Sequence, residues 1–159
     1  MVQGVLEVVQ PQAEQAGVAI EFADVSGWED RLFVLADETQ IRQVFLNLAL
    51  NAIQAMPDGG LLKVDISSEP QNGTPDEVRV CFTDTGCGIR EEDLKKVFTP
   101  FFTTRSSGIG LGLAVSHGII QVHGGALTVH SKEGQGSSFA VSLPRYCYTC
   151  NSLSSPVST

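Results

Sequence analysis

Several features that would decide the class of protein are missing or scarce in this sequence. No stretch approaches the roughly 20 consecutive apolar residues that a membrane-spanning helix needs. The opening segment MVQGVLEVVQPQAEQ has no Lys or Arg and no small-residue cleavage pattern, so it predicts no secretion signal. Basic residues are few, and the net charge of −8 disfavours binding to nucleic acid or acidic membranes. We therefore expect a cytoplasmic chain that contacts neither.

Cysteine is also scarce, with four residues in the chain: Cys81, Cys87, Cys147 and Cys150. Only the last two have the C-x-x-C spacing of a metal site, and no second pair or histidine partner accompanies them. The other two lie in an alternating segment and a glycine turn, which is consistent with reduced thiols in a cytosolic protein. We expect no metal bound by cysteine.

The chain of 159 residues, 42% of them hydrophobic, is long enough for one domain with a sizeable core. Apolar periodicity and turn residues predict alternating helices and strands, and the helices gather on one side of a mixed sheet. Pro11 is expected to interrupt or kink the first helix, and the Ser/Pro/Thr-rich tail 145–159 is expected to be disordered. The predicted helices are 2–16, a helix from Asp37 to near Met56, 90–98 and 113–122; the predicted strands are 18–23, 31–36, 61–67, 78–84, 126–131 and 137–144.

A polar strip follows the helix that begins near Asp37. Steps of three and four residues place Gln43, Asn47, Asn51 and Gln54 on one side. A solvated face would explain this strip. However, asparagine is a mediocre helix former, and an amide oxygen can serve as one protein ligand to Mg²⁺ while phosphate oxygens and waters complete the octahedron.

The segment FTDTGCGI places Asp84 at the end of a predicted strand, with Gly86 and Gly88 in the turn that follows. Asp and Gly are ordinary turn formers, so a plain loop is one interpretation. The other is a binding site, in which the carboxylate accepts a hydrogen bond from an amino group such as adenine N6. In that interpretation the glycines let a flat ring approach the backbone.

A segment rich in Thr, Ser and Gly contains three phenylalanines, Phe98, Phe101 and Phe102. Such aromatic residues could simply pack into the core, or they could anchor a hinged lid over a ligand. Arg105 is the one cation of this segment and stands where it could meet a phosphate.

Gly108, Gly110 and Gly112 alternate just before a helical segment. Glycine-rich segments are often only turns between secondary-structure elements, but the amide groups at a helix N-terminus also form an anion site.

Four segments, in this order, carry a resemblance to a known family. QVFLNLALNAIQAM, DTGCGI, FTPFFTT and GIGLGLA resemble the N, G1, F and G2 boxes of the ATP-binding catalytic domain of sensor histidine kinases, and GQGSSF resembles the strand entry that follows them. The segments NAIQAMPDGG and FFTT are most similar to the nitrogen-regulation branch of these kinases. The family belongs to the ATPase superfamily shared with gyrase, a heat-shock chaperone and mismatch-repair proteins. The resemblance implies a Bergerat-type α/β two-layer sandwich, whose mainly antiparallel sheet is covered on one face by about three helices.

The resemblance also implies residue roles. Asn51 would bind Mg²⁺, Asn47 would lie near the phosphates with Arg105, and Asp84 would bind adenine N6. The glycines before the helix would form the lid and phosphate loop, where the triphosphate lies against them. Ser137 and Ser138 would contact a water network on the adenine side. The implied contacts to ATP are Asn51, Asp84, Gly86, Gly88, Ile89, Phe98, Thr103, Thr104, Gly108, Gly110, Leu111, Gly112, Leu113 and Ser137.

Four features depart from the patterns of the family and its ATP-hydrolysing relatives. Ile109 stands where Thr is common and Arg105 where Lys is frequent. Asn47 replaces the glutamate that activates water in the ATP-hydrolysing relatives, and an amide lacks the basicity for that task. Residues 1–16 would be a lead-in helix and 17–144 the catalytic domain, with no phosphoacceptor histidine in an N-terminal helical segment.

The resemblance therefore implies a monomeric catalytic fragment that passes the γ-phosphoryl group of ATP to a histidine on a separate dimerisation domain of the same kinase. A response regulator would act downstream, and whether the parent kinase is membrane-anchored is left open. A nucleotide-binding regulatory module without chemistry is the main alternative, and a hydrolytic clamp is disfavoured by Asn47.

Overall fold

Strands with alternating apolar residues form the framework of the computed structural model, which describes residues 1–23, 33–68, 77–104 and 108–146. Five strands make one sheet in the order β1-β2-β3-β5-β4. The first two strands run parallel and all other neighbours run antiparallel. The elements are α1 Val2–Gln15, β1 Val18–Phe22, α2 Glu38–Gln54, β2 Gly60–Ser67, β3 Glu77–Asp84, α3 Glu91–Leu94, α4 Gly112–Val122, β4 Ala126–Lys132 and β5 Gly136–Pro144.

The core lies between one face of the sheet and a layer made by α1, α2 and α4. Leu48 of α2 is fully buried, and Phe45 of the same helix packs against Phe82 of β3 with ring centroids 5.6 Å apart. Burial of one such side chain stabilises the fold by about 1.5–3 kcal/mol. The predicted two-layer architecture, with a mainly antiparallel sheet covered on one face, is confirmed.

The helix α2 begins where the sequence predicts. The Asp37 side chain accepts hydrogen bonds from the backbone amides of Thr39 at 2.9 Å and Gln40 at 3.1 Å, which is an N-cap. A second contact fixes this end of the helix, because the Asp37 amide donates to Nε2 of His123 at 3.1 Å, just after α4. The cap therefore also ties α2 to α4.

The first helix continues through Pro11, so the expected interruption is wrong, and the alternative of a kink stays a prediction. Proline has no N–H to donate to the preceding turn, and this costs about 3 kcal/mol or more in a helix interior. Pro11 lies on the exposed side, while Val5, Val9 and Ala13 are buried against the rest of the core. Tertiary packing of the apolar face maintains the helix despite the proline.

The predicted strand 31–36 is not formed by its described part, residues 33–36. Only Val34 pairs, in an isolated bridge with Arg145, and the side chains of Phe33 and Leu35 are 58% and 80% exposed. The segment turns into the α2 cap too soon to extend along the sheet. Its pairing with Arg145, together with a hydrogen bond from the Tyr146 amide to the Phe33 carbonyl at 2.7 Å, orders the chain just beyond β5. Residues 147–159, including Cys147 and Cys150, lie outside the described residues.

The predicted helix 90–98 is shorter than expected. Helix α3 ends at Leu94, and the chain then continues in tighter turns, with the Lys96 amide donating to Asp93 O and the Thr99 amide to Lys96 O, both at 2.8 Å. Asp93 is buried, and its carboxylate accepts from Arg90 Nε at 3.0 Å. This contact raises the pKa of the Arg90 guanidinium above its ordinary value, and it fixes the chain direction at the start of α3.

Candidate functional site

Asp84 ends β3 as the sequence predicts, and its side chain is buried on the core face of the sheet. Its Oδ1 accepts hydrogen bonds from the Gly86 amide at 2.8 Å and the Ser137 amide at 3.2 Å. Ser137 lies directly opposite in the register of β3 and β5. A buried carboxylate held by two backbone donors has a fixed orientation, which is what specific recognition of a base edge requires.

The turn after Asp84 packs against the end of α2. The Cys87 amide donates to Ala55 O at 3.0 Å, and a Cβ on Gly86 would lie 2.5 Å from that same oxygen. Gly88 has φ +67°, and a Cβ there would lie 2.1 Å from Lys132 O. These glycines are therefore required by contacts within the protein. The sequence predicted only that these glycines admit a flat ring. It did not predict that contacts within the protein require them.

Ile89 and Ser131 connect the same turn to β4. The Ile89 amide donates to Ser131 Oγ at 2.8 Å, and Ser131 Oγ lies 2.9 Å from Ser137 Oγ. The Ile89 side chain packs against the hydrophobic core. Ser131 was not among the site residues predicted from the sequence. The sequence offered one indication of its role, because Ser131 lies on the strand that forms a hairpin with GQGSSF.

The two asparagines of α2 lie one turn apart, and both are partly buried. Asn47 Nδ2 donates to Ser116 Oγ at 3.2 Å and lies 3.4 Å from Gly112 O. Because the Gly112 carbonyl can only accept, this contact fixes the orientation of the Asn47 amide. The side chain therefore ties α2 to the first turn of α4, a contact that the sequence did not predict.

Gly110 joins the phenylalanine segment to the loop before α4. Its carbonyl accepts from the Phe101 amide at 2.9 Å, and its φ is +73°. A Cβ on Gly110 would lie 2.6 Å from Phe101 C and Phe102 O, whereas one on Gly112 would meet nothing closer than Asn47 at 3.9 Å. The explanation that all three glycines are needed because triphosphate lies against them is therefore incomplete. At Gly110 the neighbouring backbone already excludes a side chain.

The phenylalanines occupy different environments. Phe98 is partly buried and stacks on His117 of α4, with ring centroids 4.9 Å apart and an interplanar angle of 19°. Phe101 is 73% exposed and has φ +65°, while Phe102 is partly buried beneath Lys96, whose Nζ lies 5.9 Å from the ring centroid. Phe98 is therefore packed at the root of the segment, as the core interpretation expects, and Phe101 points to solvent. The lid stays a prediction.

The remaining predicted contacts differ in exposure. Thr103, Thr104, Gly108 and Leu111 are exposed, and Leu113 packs against the core. The helix α4 begins after Leu111 without a side-chain cap. Ser138 points to the other face of the sheet from its neighbour Ser137 and pairs with the Thr83 hydroxyl at 2.9 Å. It therefore lies away from the Asp84 side, where the resemblance implied that both serines act. Arg105 lies outside the described residues.

Two further observations concern all of the described residues. Across the described ranges, no three His, Cys, Asp or Glu side chains come together in a way that could hold a metal ion. No helix within those same ranges is long and apolar enough to cross a bilayer.

Comparison with known proteins identifies the class. Residues 36–146 match the family described as histidine kinase-, DNA gyrase B- and HSP90-like ATPases, a span that contains every described residue of the site. The chain belongs to this family. Its fold is that of a histidine kinase catalytic domain: the catalytic domain of histidine kinase ThkA superposes with a TM-score of 0.76 at 32% identity, covering 91% of this chain and 90% of that one.

Curated relatives are sensor kinases. Sensor histidine kinase ZraS of Escherichia coli (strain K12) is 47% identical over 111 residues, which cover 70% of this chain and 23% of that protein. Sporulation kinase E of Bacillus subtilis (strain 168) is 42% identical over 111 residues, 14% of its length. This chain thus spans less than a quarter of either relative. The nitrogen-regulation branch stays a prediction.

Full-length ShkA, solved in complex with AMPPNP, has a TM-score of 0.76 at 30% identity, covering 91% of this chain and 29% of that one. A nucleotide analogue therefore binds a protein that contains this fold.

Proposed function

We propose that this chain is the Mg·ATP-binding catalytic module of a two-component sensor histidine kinase and that it transfers the γ-phosphoryl group to a histidine on a separate dimerisation domain. The observation that carries the proposal is the buried Asp84 carboxylate, fixed by the amides of Gly86 and Ser137 at the end of β3. Membership in an ATPase family and the likeness to a histidine kinase catalytic domain support it.

The residues around Asp84 form the base side of the proposed site. A carboxylate can accept a hydrogen bond from adenine N6, whereas guanine would present its O6 acceptor to the same group. Leaving such buried polar atoms unpaired costs about 1–3 kcal/mol, or about tenfold to a hundredfold in affinity. The proposed base side comprises Asp84, Gly86, Gly88, Ile89 and Ser137.

The phosphate side is proposed to lie between α2 and the start of α4. Mg²⁺ fits here only as an ion shared with the nucleotide, because Asn51 would supply a single amide oxygen and the phosphates would supply further ligands. Bound there, the ion would neutralise phosphate charge. Arg105 would add a cation with a planar fork. The proposed phosphate side comprises Asn51, Thr103, Thr104, Arg105, Gly108, Gly110, Leu111 and Gly112, with Phe98 and Leu113 packed behind it.

The proposed reaction needs positioning more than a base from this chain. A nitrogen of the acceptor imidazole attacks the γ-phosphorus as the bond to the bridging oxygen of ADP breaks, and ADP leaves with that electron pair. The acceptor domain or solvent takes the imidazole proton. Asn47 donates its amide hydrogens to Ser116 and Gly112. It offers no basic atom to activate water, which disfavours the hydrolytic alternative.

The domain assignment follows from the same proposal. Residues 1–16 would lead in from the dimerisation domain, 17–144 would form the catalytic domain and 145–159 its tail. The monomeric fragment would act on the dimerisation domain of its own kinase, and a response regulator would receive the phosphoryl group afterwards.

Calorimetry with ADP and GDP tests the base side directly. We expect ADP to bind at least tenfold more tightly, and Asp84→Asn to remove most of that affinity, because the carboxylate is the acceptor. Asp65→Asn is the matched control, since Asp65 pairs with Lys63 at 3.2 Å on an exposed strand surface. Equal affinity for ADP and GDP would contradict the assignment of Asp84.

A transfer assay tests the reaction. Mixed with the dimerisation domain of its own kinase, the chain should label the acceptor histidine from γ-labelled ATP, giving an acid-labile and alkali-stable product. Alone, it should turn over ATP very slowly and stay unlabelled. Nucleotide binding without transfer to a folded acceptor would favour the regulatory module, and rapid turnover by the chain alone would favour the hydrolytic relative.

A further inference from the structure

One hydroxyl group, Ser131 Oγ, joins three separate pieces of backbone beside Asp84. It accepts from the Ile89 amide at 2.8 Å, lies 2.8 Å from the Gly136 carbonyl oxygen and lies 2.9 Å from Ser137 Oγ. The Ile89 amide belongs to the turn after β3, and the other two groups belong to β5. Ser131 itself is on β4 and only partly exposed. A single side chain thus connects the turn, β4 and the base side.

The positions of the protons follow from which groups can donate. The Gly136 carbonyl can only accept, so the one hydroxyl proton of Ser131 must point to it. The bond between the two serine hydroxyls then needs the proton of Ser137, which must point to Ser131. Ser131 Oγ therefore donates once and accepts twice, and its hydrogen-bonding capacity is complete. The Ser137 oxygen keeps only acceptor capacity for any other partner.

Backbone contacts hold this arrangement in place. The Gly134 amide donates to Cys87 O at 2.7 Å, so the β4–β5 hairpin is bonded to the turn that contains Gly86 and Gly88. Gly136 has φ +89°, and a Cβ there would lie 2.0 Å from Asp84 O. These contacts hold the hairpin against the turn and keep Ser131 beside Ser137, which favours the arrangement in which the Ser137 proton points to Ser131.

We propose that Ser131 is a positioning residue that makes the base side an acceptor surface and thereby selects purines with an amino group at position 6. This inference rests on the proposed function, which places a purine beside Asp84. With the Ser137 proton directed at Ser131, Asp84 and Ser137 both present acceptors. An amino group satisfies them, and a carbonyl at the same position does not. Removal of Ser131 frees the Ser137 proton to turn outward and to donate to a carbonyl.

The experiment compares ADP with inosine diphosphate, which differs at purine position 6 by a carbonyl in place of the amino group. Calorimetry on the whole chain should give a strong preference for ADP. In Ser131→Ala the affinity for ADP should fall about two- to tenfold, the effect of one hydrogen bond. The ratio of ADP to inosine diphosphate affinity should fall by at least as much, because the carbonyl gains a donor. A merely structural loss would lower both affinities and leave their ratio unchanged.

Three further variants separate positioning from stability. Ser138→Ala is the matched control: Ser138 is also partly buried and in a hydroxyl pair of 2.9 Å, but it lies on the opposite face of the sheet. We expect it to leave the ratio unchanged. Ser131→Thr keeps the hydroxyl and should restore the ratio. In a Ser137→Ala background, Ser131→Ala should no longer change the ratio.

Two results would overturn the inference, and they are distinguishable. If the wild type binds ADP selectively and Ser131→Ala keeps the same ratio as Ser138→Ala, Ser131 has no role in base selection and the proposed function still stands. If the wild type binds neither nucleotide, or binds both equally, the proposed function fails and the inference fails with it.

Discussion

The two sides of the proposed site are built in different ways. On the base side, Asp84 and Ser137 are at least 94% buried, and hydrogen bonds join them to the surrounding backbone. On the phosphate side, Thr103, Thr104 and Gly108 are exposed. The base side is thus complete in the folded chain, because neighbouring strand ends form it. The phosphate side instead presents polar groups, those of Thr103 and Thr104, to solvent.

This difference predicts different responses to mutation. A change on the base side alters contacts that also hold the fold together, so stability and nucleotide binding should fall together. A change at the exposed positions of the phosphate side, such as Thr103 and Thr104, should affect binding or transfer and leave the free energy of unfolding nearly unchanged. Each prediction below tests one side of this contrast.

The largest effect is expected from Asn51→Ala. It removes the one protein ligand proposed for the ion, so phosphoryl transfer to the dimerisation domain should fall at least about a hundredfold. Asn51 is only partly buried and has a partner in the fold, but alanine is a better helix former than asparagine, so the free energy of unfolding should change by less than about 1 kcal/mol. Radiolabel transfer and chemical denaturation measure the two effects.

Gln43→Ala is the control, because Gln43 is exposed on the same helix. It should leave both transfer and stability near the wild-type values. If Asn51→Ala transfers phosphoryl groups at the wild-type rate, Asn51 is not the ligand. If Asn51→Ala unfolds the chain, Asn51 contributes to stability as the base-side residues do. The contrast between the base side and the phosphate side then fails.

The next largest effect is expected from Gly88→Ala. The variant must adopt φ +67° and place its Cβ against Lys132 O. The positive φ alone costs about 1–2 kcal/mol, and displacement of backbone adds about 1–3 kcal/mol. We expect the loss of stability and a fall in ADP affinity in the same variant, measured by denaturation and calorimetry.

Gly134→Ala separates the two causes. Gly134 also has a positive φ, +75°, but a Cβ there would meet nothing within 4 Å. It should lose only the conformational part of the stability and keep its ADP affinity. Equal effects of the two substitutions would show that contact with β4 is unimportant for the base side.

Much of this architecture could be predicted from sequence, because local patterns determine it. The cap at Asp37, the helix α2 and the ends of β3 and β5 follow from short-range signals, and those strand ends bring Asp84 and Ser137 together. The segment 31–36 has a strand-like composition, but only Val34 pairs in its described part. Whether an apolar run joins a sheet depends on a partner strand, which local sequence does not specify.

The missed contacts share a cause. Ser131 lies 42 residues from Ile89, and Ser116 lies 69 residues from Asn47. Serine is one of the commonest residues in proteins, so neither residue is distinctive in its own segment. Their roles depend on side-chain positions after the layers have packed. The reason for glycine at positions 86 and 88 was missed in the same way, because the excluding atoms belong to the distant backbone of Ala55 and Lys132.

The smallest effect concerns the reactivity of two cysteines, Cys81 on β3 and Cys87 in the turn of the base side. Burial raises the pKa of the Cys81 thiol, the nearby Asp65 adds to this and the Arg79 charge opposes it. Since the thiolate is the reactive form, Cys81 has less of it at neutral pH, and its alkylation rate should keep rising to higher pH than that of an ordinary cysteine.

Cys87 is exposed and should react at least about threefold faster with iodoacetamide at pH 7.5. Tandem mass spectrometry locates the label, because both cysteines lie in one tryptic peptide. Saturating ADP should slow Cys87 and leave Cys81 unchanged; equal protection of both would indicate a general change in the fold and would remove the distinction between a local base side and the rest of the sheet.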